Sequence, residues 1–206
     1  MFRHRTGTAT KLLVSLAILA AAAGVAGLGT FATFTSSTSA THSVSSGTLT
    51  IALGAPGAAN RLNVVAANVA AGDTIQRAFD LQNSGTIDLA AAPTLTTSAS
   101  PTSLLDTDAT NGLQMVIDKC SVAWTEVGPP YTYTCAGTNT PVVTTRAVIG
   151  SGIAMPAIAD LVTAGAGPDH LRLTLTLPSG AGNTFQNLTS TLTYAFNATQ
   201  RTATNK

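Results

Sequence analysis

The chain has 206 residues, of which 9% are charged and 5% aromatic. Ten Lys and Arg face nine Asp and Glu, for a formal net charge of +1, so there is no basic stripe of the kind that holds nucleic acid. Hydrophobic residues make up 45%, too many for a disordered chain, and a filling of Thr, Ser and Val suits strands.

The first element is a targeting segment. Arg3, His4, Arg5 and Lys11 form a positive region, and Leu12 to Leu28 is apolar apart from Ser15 over 17 residues. Small residues follow. This layout predicts a secretory signal peptide over residues 1–32, removed by a signal peptidase during export. Thr30-Phe31-Ala32 places the cut between Ala32 and Thr33, and Thr38-Ser39-Ala40 is a second choice. An uncleaved signal segment is the alternative, at the short limit for spanning a bilayer, and it is the only membrane contact expected.

Residues 33–46 read as an N-terminal arm. The stretch TFTSSTSATHSVSSG, Thr33 to Gly47, has no Lys, Arg, Asp, Glu or Pro, which suits a donor strand. Residues 47–200 follow as one domain and residues 201–206 as a disordered tail.

Within the domain the dominant period is two. Thr48 to Leu53 places Leu49, Ile51 and Leu53 on one face. Ile75, Phe79 and Leu81 alternate next, with Arg77 as the odd member of that row. Pro93 is expected at a bulge or an edge. Leu104 to Asp108 suits a short helical turn. Leu113, Met115 and Ile117 alternate toward Cys120, and Pro156 to Thr163 suits a second helical turn. His170 to Pro178 reads HLRLTLTLP, with Leu171, Leu173, Leu175 and Leu177 on one face. Leu192, Tyr194 and Phe196 close the series. Turn signals separate the runs: Gly54 to Gly57, Gly72-Asp73, Asn83-Ser84-Gly85, Asn111-Gly112, Gly128-Pro129-Pro130 and Ser179-Gly180. The pattern predicts an all-β fold, an antiparallel two-sheet sandwich of jelly-roll type with short helical turns in loops.

Few residues suit chemistry. Cys120 and Cys135 in an exported chain predict a disulfide, expected to join neighbouring strands of one hairpin. Asp106, Asp108 and Asn111, before Gly112, form a weak calcium candidate. The run departs from an EF-hand, with Thr110 where Asp or Asn is wanted and no Glu at the twelfth position, and Asx-turns account for the same residues. Trp124, Tyr131 and Tyr133 gather near the cysteines, either as a carbohydrate platform or packed over the disulfide. Asp169 beside His170 suggests a relay on paper but is expected to mark a strand start on the surface. The sequons at Asn187 and Asn197 matter only in a glycosylating host. HExxH, a P-loop, a dinucleotide fingerprint and a nucleophile elbow are all absent, so no catalytic residue, cofactor or metal is assigned.

Three segments in order carry a family resemblance. They are GLGTFATF (Gly27 to Phe34), SSGTLTIAL (Ser45 to Leu53) and VAAGDTIQRAFDLQNSGTIDL (Val69 to Leu89). Together they resemble the TasA/camelysin family of secreted bacterial matrix proteins. The first is similar to leaders cut by a SipW-type signal peptidase, and the third carries Ala71 where the family's turn usually has Pro. The resemblance implies a jelly-roll domain, export, and a role in extracellular fibres or biofilm matrix, with donor-strand exchange as the connector. Some relatives are described as metalloproteases, and this sequence offers too few ligands for that role to be carried over.

The expectation is therefore a secreted, non-enzymatic structural protein of the extracellular matrix or cell surface. Its partners would be further copies of itself or other matrix and surface components. A non-polymerising adhesin or carbohydrate-binding sandwich is the alternative, and a metalloprotease the remote one.

Overall fold

The computed structural model describes residues 46–62 and 68–204. The expected cleavage site at Ala32 and Thr33, the arm up to Ser45 and the last two residues lie outside the described part.

Among the described residues, ten strands form three antiparallel sheets. They are β1 (Ile51–Leu53), β2 (Thr74–Asn83), β3 (Thr94–Ala99), β4 (Gln114–Cys120), β5 (Thr125–Val127), β6 (Thr132–Thr134), β7 (Asn139–Ala147), β8 (Gly150–Ala154), β9 (Asp169–Thr176) and β10 (Leu192–Asn197). One helical turn, α1 (Leu104–Thr107), and two 3-10 turns, Pro156–Val162 and Asn183–Phe185, occupy loops. The main sheet has the order β1-β2-β9-β4-β7, the second sheet β10-β3-β8, and β5 pairs only with β6.

The two larger sheets enclose one core, so the architecture is a sandwich. Strand β9 shows the cause most clearly. Its residues alternate buried and half-buried along its whole length, and Leu171, Leu173 and Leu175 point inward with Leu177 just beyond. They meet Phe79 and Leu81 of β2, Met115 and Ile117 of β4, and Leu95 and Ile153 of the facing sheet. Phe79 also packs on Phe196 of β10, ring centroids 5.5 Å apart. Each such side chain contributes about 1.5–3 kcal/mol on leaving water.

Loop chemistry sets the strand ends. At the Asn83-Ser84-Gly85 turn, the buried Asn83 side chain donates to the Ile87 carbonyl (3.1 Å) and accepts from the Gly85 N–H (3.1 Å). The chain before β1 runs so close that a Cβ on Gly85 would fall 2.3 Å from the Thr48 carbonyl oxygen. Gly85→Ala should therefore cost about 2–3 kcal/mol in a denaturant melt. Gly167→Ala, where an added Cβ meets nothing within 4 Å, is the neutral control.

Sequence patterning located β1, β2, β4, β9, β10 and both expected helical turns. It did not locate β3, β7 or β8, whose Thr- and Gly-rich sequences lack a clear alternating apolar row. Pro93 precedes β3, which is the central strand of its sheet, and the edge proline is Pro141 in β7. A proline donates no ladder hydrogen bond, so an edge is where a sheet tolerates one.

Candidate functional site

The hairpin β5–β6 folds back on the outer face of the main sheet. Cys120 ends β4 and Cys135 follows β6, and the two are disulfide-bonded with Cα atoms 5.7 Å apart. The expected single hairpin is corrected in one respect. The ladder partners of β4 are β7 and β9, so the bond fastens a separate hairpin to the sheet rather than linking paired strands.

The three aromatic residues pack there. Trp124 and Tyr133 are buried with Ala78 and Cys120, and Tyr131 and Cys135 lie against them. The Trp124 indole donates to the His170 carbonyl (3.0 Å), and the Arg172 guanidinium stacks on its ring at 4.4 Å while bonding Asp118 at 2.7 Å. Arg61 forms a two-pronged pair with Glu126 (2.9 and 2.7 Å) and covers Tyr131 at 4.7 Å. The Tyr133 hydroxyl donates to the same Glu126 carboxylate (2.9 Å). Trp124 is 9% exposed and Tyr133 6%, so neither offers a flat stacking face to a sugar ring.

Burial, then the bond to Glu126, pushes the Tyr133 phenol up to about 12 from an ordinary 10. A group raised on folding stabilises fully below its unfolded value and loses that contribution as pH rises through the folded value. Stability should therefore fall between about pH 10 and 12 by roughly 2 kcal/mol. Tyr133→Phe should remove part of this slope. The remainder belongs to groups such as Tyr194, whose phenol burial also pushes up. Urea melts across that range check it.

The weak calcium candidate serves local structure. The Asp106 carboxylate accepts from the Ser103 N–H (2.8 Å) and from the Ser190 hydroxyl, closing a capping box on α1. Asp108 accepts the N–H groups of Thr110 and Asn111, each at 2.9 Å, and these two bonds hold its carboxyl below the usual range. Among the described residues, no group of three or more His, Cys, Asp or Glu side chains is placed to hold a metal ion. His170 bonds Asp80 at 2.7 Å, both cysteines are consumed by their disulfide, and His42 lies outside the described residues.

Asp169 does begin β9, but it is buried rather than on the surface, at 1% exposure. Its carboxylate pairs with Lys119, which also bonds Asp160 at 2.5 Å. Burial raises the Asp169 carboxyl above its ordinary range despite that cation. Burial lowers Lys119, and the two carboxylates more than offset it. One signal for Lys119 was present in the sequence: it takes the next core-facing position after Met115 and Ile117 in QMVIDKC, where an apolar residue was due. Arg61, Glu126 and Asp160 gave no such signal.

The second sheet leaves one side of the sandwich open. Strand β10 has β3 on one flank and no strand on the other among the described residues. Its core-facing Leu192, Tyr194 and Phe196 are only half-buried, whereas Leu95 and Thr97 of neighbouring β3 are 0% and 3% exposed. The other edge strand of this sheet is β8. There β7 turns into β8, and the Thr97 hydroxyl donates to the Val148 carbonyl (2.5 Å) and accepts from the Gly150 N–H (2.9 Å). The edge strand β7 also carries Pro141, and its ladder with β4 has two register shifts, features that discourage further pairing.

No curated protein matches the chain at a significant level. The family described as camelysin metallo-endopeptidase matches residues 9–117, slightly more than half the chain, from the N-terminal apolar stretch into β4. The chain belongs to the camelysin family.

Proposed function

We propose that the protein is a secreted structural component of an extracellular matrix or cell surface, and that its copies assemble by strand addition. The observation that carries this reading is the open β10 flank. It presents a row of backbone groups and a half-buried apolar face to whatever strand arrives. The arm offers a strand of matching character. From Thr33 to Ser45 every odd position is Ser or Thr, while Phe34, Ala40 and Val44 are all even. As a strand it would turn its apolar residues to one face and hydroxyls to the other. Adding the arm of one copy to β10 of the next satisfies both sets of backbone groups, at about 0.5–1.5 kcal/mol net for each hydrogen bond. Repetition of such a head-to-tail contact yields filaments.

The family's name carries a peptidase activity, which the described part of this chain does not fit. A zinc site needs three or more converging nitrogen, sulfur or carboxylate ligands. The described His and Cys side chains are held in other bonds, so no metal-assisted step is derived. The test is assembly of the secreted chain at increasing concentration, followed by light scattering and electron microscopy. Concentration-dependent filaments are expected. A stable monomer that binds a glycan array would favour an adhesin, and chelator-sensitive casein cleavage would favour a peptidase.

A further inference from the structure

The five-stranded sheet holds a buried lysine–carboxylate cluster that the strand-addition reading does not use. Lys119 pairs with Leu171 across the β4–β9 ladder, so Asp169 is its diagonal neighbour on the core-facing side. The Lys119 amine contacts the Asp169 carboxylate directly. Asp169 is 1% exposed, and its second oxygen, Oδ2, has no hydrogen-bond partner. The 3-10 turn Pro156–Val162 packs against the same strand, β9. Asp160, on the same turn, reaches Lys119 from the solvent side with a side chain that is 73% exposed.

We propose that Lys119 and Asp169 condense into an intramolecular amide that covalently joins β9, the middle strand of the main sheet, to its neighbour β4. Amide formation first needs proton transfer from the ammonium to the carboxylate, giving the neutral amine and acid; burial favours the neutral form of Asp169. The Nζ lone pair then attacks Cγ of Asp169. Asp160 takes a proton from the attacking nitrogen and returns it to the departing hydroxyl. One C–N bond forms, one C–O bond breaks and one water leaves, with no oxidant or reductant required. Two groups fixed in contact react with effective molarities of about 10⁵ M or more, which offsets the poor equilibrium of amide formation in water. The product also removes two charges from a site that leaves Oδ2 unpaired. The bond lies beside the Cys120 disulfide, so two covalent ties would secure the same end of the sheet whether or not copies assemble.

Intact-mass measurement of the reduced, denatured full chain decides it. Each species is compared with the sequence mass calculated from its own N-terminus. The expected result is a deficit of one water, with fragmentation showing a branched peptide that joins Lys119 to Asp169. Lys119→Arg keeps the charge pair but should restore the full mass, and Asp160→Ala should leave an unlinked fraction. A wild-type chain at full mass, or a water loss that maps to other residues, overturns the proposal.

Discussion

Deleting Thr33 to Ser43 should abolish filaments while leaving the melting curve of the domain unchanged. The deleted stretch ends before the first described residue. Its removal costs the domain no contact among those described. It does remove the alternating Ser/Thr and apolar strand proposed to join one copy to the next. The effect should be all-or-none in electron micrographs, because a head-to-tail chain without its connector has no second route to the same contact. Circular dichroism and a thermal scan establish that the truncated chain still folds. Filaments of unchanged appearance from a folded, truncated protein would remove the arm from the account.

The disulfide carries the second large effect. The bond closes a loop with a sequence separation of 15, for which chain-entropy arguments give about 3 kcal/mol. Replacing both cysteines with Ala should therefore lower the melting temperature by roughly 10 °C. The loss should begin locally. The β5–β6 hairpin pairs only with itself and is otherwise held by Tyr133, Trp124 and the Arg61–Glu126 pair. Trp124 fluorescence should accordingly report release of the hairpin before far-ultraviolet dichroism reports loss of the sheets. Coincident transitions would show that the hairpin and the sandwich form one cooperative unit. The same measurement in reductant should reproduce the double variant.

The strands found from sequence share one property: a run of large apolar residues at alternate positions, as in Leu171 to Leu177 and Leu192 to Phe196. Strand β7 breaks that rule because two consecutive residues, Val142 and Val143, are both buried beside register shifts. Strand β3 breaks it because a threonine, Thr97, takes a core position by giving its hydroxyl to the Val148 carbonyl. Neither exception leaves a periodic trace. The disulfide was legible from cysteine count alone, but its attachment of a separate hairpin was not. That depends on β9 entering between β2 and β4, a long-range pairing that spacing does not encode. The Lys119 cluster was half legible. A charged residue in a core-facing row can be read from QMVIDKC, but its two carboxylate partners come from more than forty residues away.

The central claim is that the arm of one copy lies along β10 of another, and inter-subunit crosslinking tests it most directly. Ala195 is exposed on the outer face of β10, and Thr35, Ser37, Ser39 and Thr41 are four of the odd-numbered hydroxyl-bearing positions of the arm. Ala195→Cys is combined in turn with a cysteine at each of these four. Assembled protein is oxidised and run on a denaturing gel without reductant. The account predicts a ladder of covalent multimers for one or two of the four pairs, with none from either single variant. Filaments that form but give no ladder from any pair, or only crosslinks within one chain, would contradict it.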